Sequence, residues 1–285
     1  MLISMLSADF LRARRAPELL LAPLVVLLAS IYGGFSLYAS ISGNSAPALV
    51  LLTPGSGIVS LSSAPSITAA IGATCLSGGL VPVVSSVAVA YFLHRGIASG
   101  HAGGLVASGV GRREILAEAF VISALTSLAL LAVGSAPYLA CYAFGWIHTS
   151  LPTGADVGAI WFSLALLHST FYSFMAGCLV LLARRLWAGV VSAALLSSGA
   201  ADMLVSAALG VAGPGFSVAG TIRLLLPDSI METLCADVLD LTAKYVGGAS
   251  LLVSAALTYL VLIAIVVAAG IALVGRCGLL CRCSS

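Results

Sequence analysis

Charge is what this sequence has least of. Only 8% of its 285 residues are Asp, Glu, Lys or Arg, against about 25% in a soluble domain. Such a chain cannot cover a water-facing surface, which excludes a soluble enzyme. Its 12 basic and 10 acidic side chains raise no basic field, so no nucleic-acid partner is expected. Disorder is excluded as well: 61% of the chain is hydrophobic, whereas segments that stay unfolded are polar. Aromatic residues are scarce, at 7%. Three catalytic signatures are missing: no Gly-x-x-x-x-Gly-Lys-Ser/Thr, no His-Glu-x-x-His and no Gly-x-Ser-x-Gly occurs. Seven cysteines are present, but Cys75, Cys141 and Cys178 lie in apolar runs, so a disulfide framework is not expected. Cys277, Cys281 and Cys283 cluster near the C-terminus without a nearby His, a poor zinc site. They are open to juxtamembrane acylation. No cofactor or metal is expected in this chain.

What the chain does have is apolar length. Its 30 glycines, with much Ala and Ser, suit close helix packing in lipid. A span needs about 20 apolar residues. Six stretches qualify: Leu19–Ile41, Ile67–Leu93, Ile115–Phe144, Val157–Ala183, Leu186–Ala212 and Ser250–Val274. The expected fold is all-α: one polytopic transmembrane domain over residues 1–285 with six transmembrane helices. Pro82 predicts a kink in the second span. Gly134 and Pro137 predict a break in the third, with Tyr138–Phe144 finishing near the interface. Trp146, Trp161 and Trp187 fall at span ends, where amphipathic rings settle.

Arginine sets the orientation. Arg12, Arg14, Arg15, Arg95, Arg112, Arg113, Arg184, Arg185, Arg276 and Arg282 fall on one side, ten of the twelve basic residues. Arg223 and Lys244 share the other side with Asp156, Asp228, Glu232, Asp237 and Asp240. The basic side is therefore expected to be cytoplasmic, with both termini inside a cell (plasma or inner) membrane. The first apolar run extends to Ile41, too far for a signal-peptide core, and reads as an uncleaved span. Ahead of it, Leu2, Leu6 and Phe10 recur every four residues and predict an interfacial surface helix within residues 1–18.

Four further segments complete the layout. The external link 42–66 is rich in Ser, Gly and Pro and carries no charge. Residues 94–114 form a cytoplasmic loop, 213–249 an external segment, and 275–285 a cytoplasmic tail. The external segment predicts an amphipathic helix over Ser229–Val246, before the last span. Ser229 and Glu232 have capping-box spacing, and Ile230, Leu234, Val238, Leu241 and Tyr245 form its apolar stripe. Gly247–Gly248 is expected to stop it.

Ionisable groups inside spans are few. Glu118 lies near the inner edge, within reach of Arg112 or Arg113. Asp202 and His168 fall at matching depth on neighbouring antiparallel spans, about 15–16 Å from the outer ends by helical rise. A midplane Asp costs roughly 2.5–3.5 kcal/mol to insert, so it needs a partner or water. Ser198, Asp202 and Ser206 recur at four-residue spacing and belong against protein or a cavity. His168, Ser198, Asp202 and Ser206 thus predict either a translocation path or an interhelical polar layer.

The run Gly109-Val-Gly-Arg-Arg-Glu-Ile-Leu-Ala-Glu118 resembles the signature of type-2 ABC exporter permeases. In that family a cytoplasmic loop ends in a Gly-x-Ser-Arg-like element and enters the third helix through an apolar stretch. Arg112 or Arg113 matches the arginine and Gly109 the glycine. Gly111 stands where Ser is frequent, Ala119 stands where Lys is frequent, and the acidic residue usual early in the loop is absent. The layout of surface helix, six spans and external helix before the last span is similar too. The resemblance implies a permease subunit of an ATP-driven exporter, of the antibiotic or lantibiotic export and immunity type. It implies coupling to a separate ABC ATPase subunit through residues 94–114, with Gly109, Arg112, Arg113 and Glu114 at the contact. ATP and Mg would be held by that ATPase, and a second permease subunit, identical or a sister, would complete the pump in the lipid bilayer. Read from the polar residues alone, the rival is a proton-coupled secondary transporter using His168 and Asp202.

Overall fold

The computed structural model describes residues 16, 21–31, 80–107, 109–144, 155–197, 204, 207 and 245–276. The named elements are helices α1 (Leu21–Ile31), α2 (Leu80–Ala98), α3 (His101–Ala107), α4 (Arg112–Ala143), α5 (Ala155–Ala183), α6 (Leu186–Ser197) and α7 (Tyr245–Arg276). No strand occurs among the described residues. This follows from composition. Long Leu, Ala and Val runs hold few side chains able to bond a neighbour's backbone, and a helix satisfies its own N–H and C=O groups. Among the described residues, three helices are long and apolar enough to cross a membrane: Leu80–Ala98, Arg113–Pro137 and Phe162–Ala183.

Helix directions follow from the packing. Leu130 and Leu131 of α4 share a core with Leu164 of α5, Val81 of α2 and Tyr259 of α7. Leu116 and Ala119 share a second core with Phe174, Ala176, Cys178 and Val180 of α5 and with Val89, Ala90, Phe92 and Leu93 of α2. Low numbers on α4 therefore meet high numbers on α2 and α5, so α4 runs antiparallel to both. Gly270 of α7 stands beside Leu116 and Cys178, so α7 runs with α5. These directions gather the helix ends bearing Arg95, Arg112–Arg113, Arg184–Arg185 and Arg276 at one end of the bundle.

α6 packs back onto α2 and α5 through Gly189. A Cβ there would stand 2.9 Å from Ala90 Cβ and even closer to Val180. Only glycine permits this approach. The opposite face of α6 is open, with Trp187, Val191 and Leu195 exposed.

Two expected interruptions are absent. α4 is continuous through Gly134 and Pro137 to Ala143. Proline removes a single backbone donor, which transmembrane helices tolerate, and Gly134 fits against Val26, Ser30 and Val81. Likewise α7 starts at Tyr245 and runs on through Gly247–Gly248. Each glycine costs only about 1 kcal/mol in a helix, and the rest of this 32-residue, mostly apolar helix outweighs two of them. Pro82 falls in the first turn of α2, where no intrahelical donor is needed. Residues 1–15, the link 42–66, the body of the external helix at 229–244 and the tail at 277–285 lie outside the described residues.

Candidate functional site

Among the described residues, two places carry chemistry. The first is the turn between α2 and α4 at the arginine-bearing end. α2 continues past Leu93 through His94 and Arg95 to Ala98. Its end is closed by Ser99 N–H on the Arg95 carbonyl at 2.9 Å and Gly100 N–H on the Ile97 carbonyl at 3.0 Å. Gly100 then turns with φ 75°, and Gly109 does so again with φ 86°. Both values lie in the left-handed region, where a side chain is strained. Between these two turns stands the short helix α3. Its Leu105 packs with Val110, Ile115 and Leu181, which holds α3 against the ends of α4 and α5.

Gly109, Arg112, Arg113 and Glu114 come together here, as one helix entry. Glu114 accepts the Gly111 N–H at 3.2 Å, while Glu114 N–H bonds back to the Gly111 carbonyl at 2.9 Å. Glu114 thus acts as an N-terminal cap, a favourable place for a carboxylate at the positive end of the helix dipole. Arg113 is exposed, and Arg112 opens the helix. Glu118, one turn further along α4, is 4% exposed, and its Oε2 is buried without a hydrogen bond.

The second place is inside the bundle. His168 on α5 is completely buried, and its Nδ1 lies 2.7 Å from the Tyr259 hydroxyl on α7. Tyr172 and Tyr259 both present edge-to-face contacts to the imidazole, with centroids 4.9 and 5.6 Å away. Beside it runs a serine junction joining three helices. Ser173 Oγ of α5 is 2.7 Å from Ser85 Oγ of α2 and 3.3 Å from Ser127 Oγ of α4. It is also 2.6 Å from the Ser169 carbonyl. Its one proton serves either Ser85 or that carbonyl at a time. Ser86 Oγ, Ser169 Oγ and Thr170 Oγ1 are buried nearby in sequence and make no hydrogen bond.

Of the residues expected in this layer, only His168 is described; Ser198, Asp202 and Ser206 lie outside the described residues. Tyr259, Ser85, Ser127 and Ser173 were not anticipated. The three serines stand ten to fifteen residues from the arginine-bearing ends of their helices, or about 15–22 Å by helical rise. That common depth was the available signal. Among the described residues, no group of three His, Cys, Asp or Glu side chains could hold a metal ion.

Comparison with known protein families, with curated proteins and with solved structures finds no match.

Proposed function

We propose that this chain is the membrane-spanning permease subunit of an ATP-driven exporter. The observation that supports this reading is α3, a short helix set between two left-handed glycines at the arginine-bearing end and followed by the exposed Arg113. A pump whose ATPase is a separate subunit needs such a projection: rigid enough to push, small enough for close backbone approach, and charged enough to be gripped. In this reading residues 94–114 contact an ABC ATPase, which holds ATP and Mg. Six spans with both termini inside the cell membrane make a half-transporter that pairs with an identical or sister permease. The His168 and serine layer then ties the helices together beside the path. The rival proton-coupled carrier needs His168 within reach of water or substrate, and its burial against Tyr259 speaks for the ATP-driven reading.

The test is purification of the tagged chain from its native membranes, followed by assay of ATP hydrolysis. Hydrolysis should co-purify with the chain. It should be lost in Arg112→Glu/Arg113→Glu while the amount of inserted chain is unchanged. A permease preparation that neither hydrolyses nor binds ATP would overturn the proposal. Impermeant thiol labelling checks the orientation in a background without native cysteines: a cysteine within 42–66 should label from outside, and one at 104 only after permeabilisation.

A further inference from the structure

We infer that the α5–α6 hairpin holds an anionic phospholipid, its headgroup on Arg184 and Arg185 and one acyl chain along the open face of α6. The inference rests on the membrane-spanning reading, with the arginine-bearing end at the inner leaflet.

Three observations carry it. First, α6 has a defined orientation: Gly189 and Ala193 are buried against the bundle, so the opposite face is fixed outward. Trp187 is 61% exposed there, Val191 46% and Leu195 49%. Their four-residue spacing makes a continuous apolar strip two turns long, about 12 Å by helical rise, which is enough to lay an acyl chain against. Second, the strip ends at two adjacent arginines. Arg184 closes α5, its N–H on the Val180 carbonyl at 2.8 Å, and takes φ 54°. Arg185 is exposed and directly precedes α6, whose first turn adds unbonded N–H groups to the positive charge. Third, from residue 157 to 201 the chain holds no Asp or Glu, and Glu114, at the same end of the bundle, is turned to the Gly111 N–H as the cap of α4. A lipid phosphate completes this pair, and Trp187 sits where its ring bridges headgroup and chain.

The experiment uses the full chain with Trp187 as its sole tryptophan (Trp146→Phe, Trp161→Phe). It is reconstituted in phosphatidylcholine vesicles containing phosphatidylglycerol, with bromine on the acyl chains of one lipid or the other. Per mole, brominated phosphatidylglycerol should quench Trp187 more strongly than brominated phosphatidylcholine, by roughly fivefold for each engaged arginine. The ratio should fall to about one in Arg184→Gln/Arg185→Gln. Raising the salt should lower it in the unmutated hairpin, a check that does not depend on the variant inserting. Equal quenching by both lipids, with the arginines intact, overturns this inference alone. Absence of quenching by either lipid overturns the lipid-facing placement of α6 and with it this inference, while the membrane reading stands or falls by the thiol labelling.

Discussion

Helices α4 and α5 lie side by side and antiparallel, yet they make opposite use of their surfaces. Over its span-length window α5 buries 72% of its residues, and α4 only 39%. The more enclosed helix is the less apolar one by hydropathy. His168, Ser169, Thr170 and Ser173 are all buried in α5, while α4 turns Leu125 and Leu128 outward. A water-soluble bundle would do the reverse. On the membrane-spanning reading the outside is already apolar, so leucine gains nothing by turning inward, and hydroxyl and imidazole groups find partners among other helices. α5 is the central post because it carries the polar groups.

The difference can be broken most severely at the backbone. Gly189→Ala should destabilise the bundle by about 1–3 kcal/mol through overpacking, because the new methyl meets Ala90 and Val180 on the α2–α5 side. Gly270→Ala on α7 should be nearly neutral, since its Cβ would stand 3.7 Å from Leu116, an ordinary contact. Thermal unfolding in detergent micelles compares the two, and equal tolerance would show that α6 does not seat as described. A middle-sized effect belongs to the α5–α7 bond. Tyr259→Phe should cost about 0.6–1.7 kcal/mol, the range for interhelical bonds in membranes. His168→Leu should cost more, because it removes the edge-to-face contacts with Tyr172 and Tyr259 together with the bond. A double-mutant cycle that returns no coupling between the two would remove the bond from the account. The smallest effect sharpens the contrast within α4 itself. Ser127→Ala faces α5 and should cost about 0.6 kcal/mol. Leu125→Ala, two residues earlier and 57% exposed, should cost less still, because lipid replaces the lost contacts.

The sequence carried the helical class, the apolar lengths and the arginine asymmetry, because each follows from a solvent requirement acting on many residues at once. The packing agrees with the last of these by bringing Arg95, Arg112–Arg113, Arg184–Arg185 and Arg276 to one end. Single-residue signals were weaker guides. Pro137 and Gly247–Gly248 are helix breakers in water, but a long apolar helix absorbs their small local cost. The helix entry at Gly109–Glu114 was legible because capping is local chemistry. The serine junction was not, because serine is frequent throughout this chain and depth alone does not say which three hydroxyls will meet. Tyr259 was hidden for a related reason: a tyrosine in the last apolar run reads as one more packed ring until its partner is known.

The bond between His168 and Tyr259 also has a history in time. The two residues are separated by 91 positions, and a ribosome adds about 5–20 residues per second. When α5 is complete, Ser85 and Ser127 have already been made, so the serine junction can close at once. Tyr259 is synthesised roughly 5–18 s later at that rate. For that interval the imidazole lacks its bond to Tyr259, whereas the serine junction can already be complete. Of these two polar contacts of the central helix, the one to α7 is therefore the later to form, and it waits for the final helix of the bundle.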